Sequence, residues 1–136
     1  MRPSGRLIHI PRVVRRCVEF SAAESFPLEV AGLIIGTQDA FAAVVGITTY
    51  AARGNDHLTA AGDYATIAVA LFGTAFVGEF HSHPVESPAL SKDDRASMGN
   101  VEWIVGVRCG YKRWLFEHRV YTMINKRARV AKIVWI

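Results

Sequence analysis

The chain has 136 residues, 51% of them hydrophobic and 21% charged, with a formal net charge of +4. That balance excludes a disordered chain, and the length suits one domain, expected over residues 1–136, with a core that needs no staples. The longest uncharged run, Tyr64 to Gly78, has 15 residues, short of the roughly 20 that a membrane span requires.

Near the N-terminus, Arg2, Arg6, Arg12, Arg15 and Arg16 interrupt any apolar signal core, so a cytoplasmic location is expected. Cys17 and Cys109 form no CxxC pair, and both are expected to be buried small hydrophobes. The basic residues are spread over both ends, most densely at Lys126, Arg127, Arg129 and Lys132. A solvated surface is expected of them, not a nucleic-acid interface.

In chain order, Arg6 to Ile10 is a short strand, and Pro11 suits the first turn of a helix. Val13, Val14, Cys17, Val18 and Phe20 recur at helical spacing opposite Arg12, Arg15, Arg16 and Glu19. Pro27 closes that helix. Val30 to Gly36 reads as a buried strand, joined through Thr37, Gln38 and Asp39 to a second over Ala40 to Tyr50. Arg53 to Gly62 reads as a loop. Asp63 to Phe72 reads as a helix stopped by Gly73. Ala75 to His81 is a strand, Pro84 to Leu90 a loop, and Ser91 to Met98 a short helix. Val101 to Arg108, Lys112 to His118 and the segment after Val120 are strands, the last broken near Asn125 to Arg127. The expected fold is α/β: a mixed, mostly antiparallel sheet sandwiched by about three helices.

The chemistry concentrates in Gly78-Glu79-Phe80-His81-Ser82-His83-Pro84, followed by Ser91-Lys92-Asp93-Asp94. Residues two apart on a strand point to one face, so His81 and His83 are set to share one metal ion. Zinc takes such nitrogen ligands, and three protein ligands leave its fourth position to water, whose pKa falls to about 7.

His-x-His, seven residues, Ser, two residues and Asp is the signature of the JAMM (MPN+) metalloproteases, and His81, His83, Ser91 and Asp94 match it without an insertion. Pro84 completes the common form HSHP. Upstream, Pro27-Leu28-Glu29-Val30-Ala31-Gly32-Leu33-Ile34-Ile35-Gly36 resembles the family's glutamate block. The likeness runs from about Pro27 to Val107. It implies a JAMM/MPN architecture, which is cytidine-deaminase-like, and one zinc ion per chain. His81, His83 and Asp94 resemble the zinc ligands, Glu29 the general base and Ser91 the oxyanion stabiliser. The implied reaction is hydrolysis of a peptide or isopeptide bond by zinc-activated water. The implied substrate is the C-terminal tail of a ubiquitin-like or sulfur-carrier protein; some compact relatives belong to antiphage conjugation systems. Only 42 residues follow Asp94, which leaves no room for a long second insertion and argues against linkage-specific chain cleavage.

Each of these residues also has an ordinary reading. Ser91 and Asp94 form a Ser-x-x-Asp capping pair. Asp93 competes with Asp94 as a ligand. Glu79 shares the strand face of His81 and His83 and is the rival base, or a group that supports the ligands; Glu24 is a weaker rival. Trp103, Trp114 and Trp135 are expected to pack in the core or an interface. His9, His57 and His118 have no motif around them and are expected at the surface.

Two other functions remain in view: a catalytically inactive MPN scaffold for protein assembly, and a RadC-like DNA-associated protein. A deaminase would need Pro-Cys-x-x-Cys and a thermolysin-like enzyme HExxH; neither is present.

Overall fold

The computed structural model describes residues 3–50, 69–84 and 100–136. Strand β1 (Pro3–Ile10) leads into helix α1 (Arg12–Ser25), then β2 (Glu29–Gly36) and β3 (Phe41–Tyr50). After residues 69–72, which are helical, and a 3-10 turn over Gly73–Ala75, come β4 (Phe76–Pro84), β5 (Val101–Gly110), β6 (Arg113–Ile124) and β7 (Arg127–Trp135).

Among the described residues these strands form one sheet in the order β1-β7-β6-β5-β4-β2-β3. Two pairs, β1 with β7 and β4 with β5, are parallel and the rest antiparallel. The sheet curls until its two edge strands approach each other. The His9 amide donates to Asp39 O at 2.8 Å, and His9 bridges Ala40.

The mixed, mostly antiparallel sheet agrees with the sequence reading, but the count of about three helices is loose. Among the described residues α1 is the one complete α-helix. Of the helix expected over Asp63 to Phe72, only 69–72 is described, and it is helical. The loop expected over Arg53 to Gly62 and the helix expected over Ser91 to Met98 lie outside the described residues.

Several boundaries also differ. Pro11 stands just before α1 rather than in its first turn, and its carbonyl accepts from the Val14 and Arg15 amides at 3.0 and 3.1 Å. β4 runs on to Pro84, so both histidines lie within the strand. β6 continues without a break from Arg113 to Ile124. The chain then reverses at Asn125 and Lys126, whose φ angles of 50° and 63° belong to the left-handed pair that matches hairpin twist.

Helix α1 carries two apolar stripes and buries one. Val14, Val18 and Ala22, four residues apart, face the sheet. The neighbouring stripe of Val13, Cys17 and Phe20 turns outward, leaving Val13 57% and Phe20 69% exposed. The expected five-residue inner face is therefore too wide, since only one arc of a helix meets a flat neighbour. Cys17 and Cys109 are both exposed, contrary to expectation. Cys17 lies on the outward stripe, and Cys109 near the end of β5 beside its hairpin.

Beneath α1 lie Val30 and Ile34 from β2, Phe80 from β4, and Trp103, Val105 and Val107 from β5, all essentially inaccessible. Trp103 is the centre of this core. Its ring lies 6.0 Å from that of Phe41 and 5.7 Å from that of Phe80. Because side chains alternate along a strand, the residues between these point to the opposite face of the sheet. Along β4 and β5 those are Glu79, His81, His83, Glu102 and Ile104.

Candidate metal centre

Strand β4 is held between β2 and β5. His81 is opposite Ala31 on β2 and Ile104 on β5. His83 is opposite Gly106. The register places Glu29, at the start of β2, beyond the last β2–β4 pair, Ala31 with His81. There the Val30 amide donates to Ser82 Oγ at 3.0 Å. Ser82 is thus a buried strand-joining group on the core face, between two histidines on the other.

Glu29, His81 and His83 each bring one ligand atom to within 4.8 Å of the others. The Nε2 atoms of the two histidines lie 3.0 Å apart. Both imidazoles are buried, with relative exposures of 3% and 6%, and Glu29 is half-buried. Two imidazoles and a carboxylate at this spacing suit a divalent ion with borderline-soft preferences, zinc above all. The donor set therefore fits a zinc ion. Ser91, Asp93 and Asp94 lie outside the described residues.

Glu102 is the residue that sequence reasoning passes over. One of its oxygens lies 2.5 Å from His81 Nδ1, and both side chains are almost wholly buried. The signal is visible in retrospect: Glu102 is a lone charge among Val101, Trp103, Ile104 and Val105, and a buried carboxylate is costly unless paired. Glu79 faces Glu102 across the parallel β4–β5 pair. Burial pushes the Glu79 carboxyl up to about 8, the Glu102 charge adds to the rise, and His81 partly offsets it. Glu79 is held well above the ordinary carboxylate range, and it is not part of the Glu29–His81–His83 group. Glu24 is exposed on α1.

His118 also departs from the surface position expected of it. Its side chain is 5% exposed. Nε2 contacts Glu19 of α1 at 2.5 Å, and Nδ1 accepts from Trp103 Nε1 at 3.2 Å. The Trp135 ring packs edge-on at 4.9 Å, and the Arg15 guanidinium caps that indole at 4.5 Å. Trp103 and Trp135 thus pack as expected, while Trp114 is 37% exposed against Phe26. His9 is half-buried at the sheet seam, and His57 lies outside the described residues.

The sequence matches the family described as prokaryotic homologs of the JAB domain over residues 11–127, and the chain belongs to that family. No curated protein matches the chain. Its fold is similar to that of a Desulfitobacterium hafniense protein solved in solution, with 17% identity, a TM-score of 0.56, and coverage of 95% of this chain and 92% of that one. It is also similar to a JAB1/MPN domain protein from Archaeoglobus fulgidus, at 16% identity and TM-score 0.53, covering 93% and 99%. A third likeness is to a structure described as a JAMM metalloprotease-like zinc site in the proteasome and signalosome, at 17% identity and TM-score 0.53, covering 94% and 98%. At these identities the likeness concerns the fold. Among the described residues no helix is long and apolar enough to cross a membrane.

Proposed function

We propose that this chain is a zinc-dependent peptidase or isopeptidase that cuts after the C-terminal tail of a ubiquitin-like or sulfur-carrier protein. The observation that carries the reading is the convergence of Glu29, His81 and His83 within 4.8 Å on one sheet face. His81 and His83, with Asp94 from the segment that follows, would hold the ion. When bound, zinc supplies Lewis acidity, lowering the pKa of water to about 7 and polarising the scissile carbonyl.

Glu29 takes the proton from the attacking water and returns it to the leaving amine, a service worth roughly 10² to 10⁴-fold. Its half-buried position beside the imidazoles suits a base that must meet both water and substrate. The Ser91 hydroxyl donates to the carbonyl oxygen as negative charge develops there, a contact whose loss costs about 10² to 10³ in rate. An extended, glycine-ended tail would add to a sheet edge through main-chain hydrogen bonds.

Elemental analysis of the purified chain beside the His81→Ala/His83→Ala double variant is the first test. About one zinc per chain in the wild type and almost none in the variant is the expected result. A zinc-loaded wild type should then cleave a ubiquitin-like fusion, and Glu29→Gln should not. Absence of zinc from the wild type after reloading would overturn the enzyme reading in favour of a scaffold.

A further inference from the structure

We infer that Glu102 is a positioning residue for the metal centre: its carboxylate fixes the ring orientation and tautomer of His81, so that Nε2 is presented to the ion. The inference rests on the zinc reading above and deepens it.

The argument begins with register. In the parallel β4–β5 ladder His81 is level with Ile104, and Glu102 lies two residues earlier on the same face, level with Glu79. From there its side chain reaches His81 Nδ1 at 2.5 Å, with exposures of 4% for the imidazole and 3% for the carboxylate. An ionised carboxylate only accepts, so the hydrogen between them belongs to Nδ1. A neutral imidazole has one N–H. With that hydrogen on Nδ1, Nε2 keeps a lone pair, and Nε2 is the atom that faces His83 Nε2 at 3.0 Å. Glu102 therefore orients the ring and selects the tautomer a metal requires, and it raises the basicity of the ligating nitrogen.

The pair is consequently unequal. His81 is set for coordination before any ion arrives. With His81 Nε2 accepting, the hydrogen between the two Nε2 atoms belongs to His83, and coordination through that atom requires the His83 ring to shift its hydrogen to Nδ1.

The test compares zinc affinity, by competition with a chelating dye, for the wild type, Glu102→Gln and Glu102→Leu. Leucine fills the space without an acceptor, and glutamine restores the acceptor without the charge. The expected result is a dissociation constant roughly 10- to 100-fold weaker for leucine, with glutamine between it and the wild type. Long-range ¹H–¹⁵N spectra of the metal-free wild type, assigned with His81→Asn, should show His81 protonated at Nδ1. Equal affinity in Glu102→Leu, or His81 protonated at Nε2 in the wild type, would overturn the inference. If Glu102→Leu does not fold, the spectrum and the glutamine variant still decide it. A wild type that binds no zinc would defeat the enzyme reading, while the spectrum of the metal-free chain would still judge Glu102.

Discussion

His118 on β6 and Glu19 on α1, far apart in sequence, meet with Nε2 and Oε2 2.5 Å apart. The contact ties the helix to the sheet through a buried imidazole whose other nitrogen accepts from Trp103. Burial lowers the His118 pKa from its ordinary 6.5; Glu19 opposes the shift and Arg15 adds to it. The unfolded chain therefore takes up a proton near pH 6.5 that the folded chain resists. Stability contributed by the neutral ring is intact above that pH and is lost as pH falls toward the lower folded value. Urea melts across this range should show the decline, and His118→Gln should flatten it.

Trp103 contributes both packing and an N–H. Trp103→Ala should destabilise the fold by about 3–5 kcal/mol. Trp103→Phe keeps much of the contact with Phe41 and Phe80 but leaves His118 Nδ1 without its donor, a loss of about 1–3 kcal/mol. Chemical denaturation of both variants checks the order.

A methyl group at Gly78 would stand 2.1 Å from the Val101 carbonyl oxygen, on backbone that cannot rotate away. Gly78→Ala should therefore push β5 from β4 and cost about 1–3 kcal/mol, as overpacking does. It should also weaken zinc binding, because His81 and Glu102 sit on these two strands. Thermal melts and zinc affinity measured together test the link.

The two candidate aspartates are separable. Asp94→Asn should lower metal content and Asp93→Asn should leave it unchanged; elemental analysis of both distinguishes them, and the reverse pattern would move the ligand to Asp93. Glu29→Gln should retain zinc while turnover falls by about 10² to 10⁴-fold. Full activity in that variant would move the base to another carboxylate.

Much of this was legible in sequence because it depends on short-range pattern. Alternation along β4 sets His81 and His83 on one face; Glu29 was singled out by the resemblance of its block to the family's, and the β2–β4 register that brings it beside them is long-range. What escaped depends on contacts between distant segments. The positions of His118 and Glu102 are set by the β5–β6 and β4–β5 registers, which no local period reveals. On α1, the stripes Val13–Cys17–Phe20 and Val14–Val18–Ala22 are nearly equal in hydropathy, and tertiary packing chose the second. The extension of β6 through Arg119 was hidden because a polar residue inside a strand resembles a break.

Strand β4 presents Phe80 and Ser82 to the core and His81 and His83 to the candidate metal centre. An ion gripping the histidines would thus restrain the same backbone that the core restrains. Occupancy and folding would then be thermodynamically linked: an ion a thousandfold above its dissociation constant would add about 4 kcal/mol to the folded state. Amide exchange at Phe80 and Ser82, which touch no ion, should slow on loading as much as at the histidines themselves.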